Sequence, residues 1–88
     1  MYDDLTHFFN EAGQITAWPS KAKKQLSVLR FLAGKFEAAK DYDEPQVNEL
    51  LNRWHTFEDP ALLRRELYMK HFLNRVPDGS RYWKEGGP

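Results

Sequence analysis

Asp59-Pro60-Ala61-Leu62-Leu63-Arg64-Arg65-Glu66-Leu67-Tyr68-Met69-Lys70, followed after His71 by Phe72-Leu73-Asn74-Arg75-Val76-Pro77-Asp78-Gly79-Ser80-Arg81-Tyr82-Trp83, is the stretch that decides the fold. It opens with an aspartate that can cap a helix and a proline at the first helical position, where its missing N–H is not needed. Leu63 and Leu67 lie on one face, and Glu66 and Lys70 have i,i+4 spacing for an ion pair. These features predict a helix to about Lys70. Beyond it, Phe72 to Arg75 and Ser80 to Trp83 flank Val76-Pro77-Asp78-Gly79, which predicts a β-hairpin turning at Asp78-Gly79. A helix is followed by a hairpin with basic residues in both arms.

Upstream, Asp43-Glu44-Pro45-Gln46 is a second helix start, with Asp43 as cap and Gln46 at the capping-box position. Val47, Leu50, Leu51 and Trp54 follow at i, i+3, i+4 and i+7, and a short connection joins this helix to the one after Asp59. Before both, Ser20 is an N-cap candidate for a helix to about Lys40, with Ala22, Leu26, Leu29, Ala33 and Phe36 in one stripe widened by Val28 and Leu32. Asp3 to Asn10 reads as a short helix with Leu5, Phe8 and Phe9 inward, and Asn10-Glu11-Ala12-Gly13 as its stop and turn. Gln14 to Trp18 alternates into a brief extended segment ended by Pro19, placed to pair with a later strand. The expected organisation is an N-terminal helix and arm over 1–19, a domain over 20–84 and a disordered tail over 85–88. Leu26, Leu29, Phe36, Val47, Leu50, Leu51, Leu63, Leu67 and Phe72 form the expected core.

With 88 residues there is room for one core, and 13 aromatic rings supply much of its apolar area. No cysteine is present, so disulfides, thiolate metal sites and cysteine nucleophiles are excluded. No apolar run has the length of a membrane span, and the acidic start Met1-Tyr2-Asp3-Asp4 is unlike a signal peptide, so the expected location is cytoplasmic. Formal net charge is zero, which excludes a globally basic nucleic-acid binder. The distribution is uneven. Residues 21–40 hold six bases and one acid, 41–59 six acids and one base, and 60–84 six bases and two acids. Two basic segments on one face would still make a phosphate-binding surface on a neutral protein.

The order long helix, short helix, tight turn, second helix, basic hairpin is that of a winged helix-turn-helix, an α+β and mostly α fold with a C-terminal β-hairpin wing. Leu63 to Leu67, Phe72 to Arg75 and Asp78-Gly79-Ser80-Arg81-Tyr82 resemble the recognition helix and wing of bacterial winged-helix regulators. Together with Trp18-Pro19, the lysines at 21, 23 and 24, and Tyr42 to Asn48, the string also resembles a small bacterial domain of unknown function that occurs alone or fused to helix-turn-helix regulators. One departure is His71, where related wings close the helix with glycine; histidine tolerates the left-handed conformation better than most residues do.

Double-stranded DNA is the expected partner, in a role in transcription regulation. With Leu63 and Leu67 inward, Arg65 points outward as the candidate base reader, with Tyr68 beside it for a phosphate or a thymine methyl. Arg64, on the flank, is a backbone contact, or the partner of an acid such as Glu58. Arg75, Arg81 and Lys84 are candidate phosphate contacts on the hairpin, and Lys21, Lys23 and Lys24 candidates at a helix N-terminus. The alternative is a non-catalytic protein-interaction or accessory module on the same fold, which zero net charge and the acidic segment 41–59 favour. No enzyme motif is present. His7, His55 and His71 lack ligand spacing, the serines lack a nucleophile-elbow context, and no metal or cofactor is expected.

Overall fold

Residues 3–87 are described by a computed structural model. It runs as a 3-10 helix Asp3–Phe8, α1 Ala22–Ala33, β1 Asp41–Tyr42, α2 Glu44–Trp54, α3 Pro60–Met69, β2 Leu73–Arg75 and β3 Tyr82–Lys84. The fold is α+β and mostly helical. Both predicted caps form. Asp43 accepts from the Gln46 N–H and Gln46 Oε1 from the Asp43 N–H, each at 2.9 Å, and Asp59 accepts from the Leu62 N–H at 3.2 Å.

The first expected helix is a 3-10 helix and ends at Phe8; the Asn10 side chain then accepts from the Ala12 and Gln14 N–H groups and makes the turn. Ile15, fully buried, sits where the extended segment pairs, on one side with Phe9 and on the other with His55. Its N–H donates to the Trp54 carbonyl at 2.8 Å and its carbonyl accepts from Thr56 at 2.9 Å, so it joins the end of α2 rather than a strand. The arm therefore contributes Leu5 and Ile15 to the same core as the rest of the chain.

α1 is shorter than predicted at both ends. Lys21 rather than Ser20 is the N-cap and makes no side-chain capping bond, while Gln25 reaches back to the Pro19 carbonyl at 2.7 Å. After Ala33 the chain tightens into i→i−3 turns, with Lys35 bonding to Leu32 and Phe36 to Ala33. Gly34 offers little helical stability there, and Phe36 leaves the helix to meet Tyr42 edge-on at 5.1 Å. Ala39, at φ 60°, then turns the chain into β1.

The sheet is antiparallel in the order β1-β3-β2, with Asp41 opposite Trp83 and Trp83 opposite Asn74, and with Tyr42 opposite Tyr82 and Tyr82 opposite Arg75. β1 has no counterpart in the sequence reading. The hairpin turns where predicted. Gly79, at φ 76°, donates to the Val76 carbonyl at 2.9 Å, and Val76 bonds to Arg81 at 3.0 Å. His71 does adopt the left-handed conformation, at φ 66°. Residues 85–87, expected to fray, are bonded instead: Glu85 donates to Phe72 at 2.8 Å and Gly87 to His71 at 2.9 Å, with Gly87 pressed against the Phe72 ring. Pro88 of that tail, and Met1 and Tyr2 of the arm, lie outside the described residues.

Of the predicted core, Leu26 and Leu50 are only partly buried, at its margin. Leu29, Phe36, Val47, Leu51, Leu63, Leu67 and Phe72 are buried, joined by Tyr42, Leu73 and Tyr82. His55 is buried too. Its Nδ1 lies 2.7 Å from the Leu51 carbonyl, and the Asp59 N–H donates to its Nε2 at 3.0 Å. With Nε2 accepting from an amide, Nδ1 is the nitrogen that donates to the Leu51 carbonyl. The ring ties the last turn of α2 to the cap of α3 across Glu58, itself at φ 54°.

Candidate functional site

α3 buries Leu63 and Leu67 and turns Ala61, Arg65 and Tyr68 outward, and these three meet the hairpin across a shallow groove. The groove is about 260 Å³ in volume and is lined by Glu44, Ala61, Arg64, Arg65, Tyr68, Arg75 and Tyr82. Arg75 comes from the opposite wall. Its guanidinium carbon lies 4.7 Å from the Tyr68 ring centre, and its Nη1 donates to the Pro77 carbonyl at 3.2 Å. Those two contacts hold it over the groove with its remaining N–H groups free of any described partner. Arg65 is exposed and makes no ion pair with a described residue. The single acid in the lining, Glu44, faces Arg64 at 3.6 Å.

Arg64 belongs to the scaffold. It is the least exposed arginine of the ion pairs, at 19%, and bridges α3 to α2 through Glu44 and Asn48; Glu58 is not its partner. The expected Glu66 and Lys70 ion pair does not form among the described residues; Lys70 is the C-cap, its N–H bonded to the Glu66 carbonyl.

The other candidates sit elsewhere. Arg81 reaches Asp41 at 3.2 Å and stacks on Trp83 at 4.8 Å, on the side of the sheet opposite the Tyr82 and Arg75 row. Lys84 donates to the Phe36 carbonyl at 3.3 Å and so closes the end of α1. Lys21 and Lys23 are exposed at the start of α1 and Lys24 lies 5.7 Å from the Phe8 ring; none of the three lines the groove. Arg65, Tyr68 and Arg75 are thus brought together, and the remaining six are not in free positions beside them.

Sequence reasoning missed Tyr82 as a groove residue, because the hairpin alone does not say which of its residues face α3. Pairing opposite Arg75 across the hairpin was the available signal. A larger concavity of about 330 Å³ lies between α2 and the residues leading to β1. Its charges are largely matched, Lys40 with Glu37 at 3.2 Å and Arg53 with Glu49 at 2.9 Å, while Lys35 rests on the Trp54 ring at 3.9 Å. Among the described residues no group of three or more His, Asp or Glu is placed to hold a metal ion, and no helix is long and apolar enough to cross a membrane.

A bacterial family described as "Uncharacterized protein conserved in bacteria (DUF2087)" matches residues 14–84, from the Ile15 segment through β3. The chain belongs to this family. The match takes in α1 to β3 and every groove residue, and leaves out the 3-10 helix. No curated protein and no solved structure matches the chain.

Proposed function

We propose that this DUF2087 domain is a winged-helix module that binds double-stranded DNA, with α3 as recognition helix and the β2-β3 hairpin as wing. The observation that carries the reading is the meeting of Arg65 and Arg75, from helix and hairpin, over one groove whose only acid already faces Arg64. An exposed helix with an arginine on its outer face fits the major groove, where a guanidinium fork matches the guanine acceptor pair. Arg75 then lies beside it for the sugar-phosphate backbone. Arg64 and Lys84 act in this reading as internal ties. Replacing Arg65 with alanine weakens binding to a specific site by about 1–3 kcal/mol and relaxes preference at one base pair. Fluorescence titration of a selected duplex and a random one tests this; equal loss on both makes Arg65 a phosphate contact.

A second reading is favoured by one observation. Tyr68 and Met69, exposed by 36% and 59%, are the exposed large hydrophobic residues of the described chain, and they adjoin at the end of α3. A protein partner covering that end would use the same helix for interaction rather than base contact. No binding to any duplex at ~50 mM salt, where phosphate-driven affinity is greatest, decides for this reading.

A further inference from the structure

Tyr82 holds an unusual position. The residue is 4% exposed, yet its side chain lines the groove, and its hydroxyl bonds to no described residue. The other buried tyrosine behaves differently, since Tyr42 accepts from the Glu37 N–H at 2.9 Å. This hydroxyl opens into the groove, since no buried side-chain oxygen or nitrogen among the described residues lacks a partner. Around it stand Arg75, directly opposite in the hairpin register, and Arg65 from α3. The Gly79 turn closes one end: a side-chain carbon placed there would lie 3.6 Å from Arg75 Nη1, 3.7 Å from the Tyr82 hydroxyl and 3.8 Å from Glu44 Oε1. Three donors, two of them permanent cations, therefore line one small concavity, and the carboxylate beside them, Glu44, already faces a third cation, Arg64, at 3.6 Å.

We propose that this groove is a binding site for one phosphate group, held by the Arg65 and Arg75 guanidinia and the Tyr82 hydroxyl. Two guanidinia suit the charge and the several acceptor oxygens of a phosphate, and a neutral hydroxyl adds a short third bond without further repulsion. The Tyr68 ring keeps Arg75 from folding back into solvent. The phosphate is a backbone diester of duplex DNA or a monoester on a small molecule, and the recognition chemistry is the same for both. The site stands independently of the DNA reading but shares Arg65 and Arg75 with it, and with a DNA diester bound here Arg65 is a backbone contact and not the base reader.

Inorganic phosphate titrated into the full chain against chloride at fixed ionic strength, followed by NMR, is the direct test. The expected result is saturable shifts at the Arg75 side-chain N–H and at residues around Tyr82. Tyr82→Phe, which keeps the buried ring, weakens binding about threefold to tenfold, and Arg75→Gln about tenfold or more. Arg81→Gln leaves it unchanged. Absence of saturation, or wild-type binding by Tyr82→Phe, overturns the proposal. A labelled duplex at ~50 mM salt identifies the source. Displacement of the duplex by phosphate assigns the site to a DNA diester. Saturation by phosphate with no duplex binding keeps the site for a monoester and defeats the DNA reading. Duplex binding with no response of Arg75 or Tyr82 to phosphate defeats the site and leaves the DNA reading standing. Duplex binding undisturbed by saturating phosphate keeps the site and moves the duplex off the groove.

Discussion

Arg75 and Arg81 stand on the two arms of one hairpin, yet one faces α3 and the other faces away from it. On the outer side every strong charge near the sheet has a counterpart: Arg81 has Asp41 and the Trp83 ring, and Glu85 accepts from Asn74 at 3.0 Å. On the inner side Arg75 has only a ring and a carbonyl, and Arg65 has no described partner. Strand parity produces the contrast, because neighbouring positions of a strand point to opposite faces. Net charge hides it. A neutral chain presents Arg81 paired on one side of the hairpin and, on the other, a groove in which three arginines share one carboxylate.

The contrast depends first on α3 staying against the core. Leu67, fully buried under the groove, is its anchor. Leu67→Ala removes packing that the rigid surroundings do not refill, and costs about 2–5 kcal/mol in denaturant unfolding. An unchanged midpoint would show that α3 owes its position to the hairpin instead. The next effect comes from the α2-α3 turn. His55→Ala leaves the part-buried Asp59 N–H and the Leu51 carbonyl without the imidazole, a loss of about 1–3 kcal/mol. His55→Gln offers a neutral donor and acceptor and recovers part of it; no difference between the two variants would mean that the ring acts by volume alone.

A direct comparison of the two arginines follows. Each phosphate contact contributes about 0.9 to the slope of log affinity against log salt. If a duplex binds the groove, Arg75→Gln lowers the slope by about one unit and leaves sequence preference nearly intact. Arg81→Gln, on the matched side, leaves the slope in place. Titration between ~50 and ~200 mM salt reads both, and the opposite ranking would assign the outer side of the hairpin to DNA.

Much of this architecture is legible in the sequence. Asp43 with Gln46, Asp59 with Pro60, and Asp78 with Gly79 each act through bonds to their immediate neighbours, so local sequence determines them. β1 was not legible, because two residues have no periodicity and pair only once β3 is in place. The end of α1 at Ala33 was likewise missed: helical periodicity continues to Phe36, and only its tertiary contact with Tyr42 pulls it out of the helix. Of the groove lining, the outward positions of Arg65 and Tyr68 follow from helix projection, and Arg75 from the hairpin. The partners of Arg64, Arg81 and Lys84, which are Glu44, Asp41 and the Phe36 carbonyl, are not legible because they are distant in sequence. Charge counting cannot distinguish a free cation from a tied one.

The smallest expected effect lies in the turn that sets Arg75 inward and Arg81 outward. Asp78 accepts from the Ser80 N–H at 2.9 Å, and hydrogen bonds from Ser80, its side chain first and then its backbone, hold the carboxyl below the ordinary value of 3.8. A carboxyl depressed in the folded state contributes stability that is present above its unfolded value and lost as pH falls through its folded one. The carboxylate is fully exposed, so the contribution is slight. Asp78→Asn keeps an acceptor but removes the charge. Its unfolding curve lies slightly below that of the parent at neutral pH, and the two converge as pH drops below 3.8. Other carboxylates titrate equally in both proteins, so the difference between them isolates this turn. A gap that persists in acid would place the loss in the geometry of the turn. The register of Arg75 and Arg81 would then depend on the side chain's shape and not on its charge.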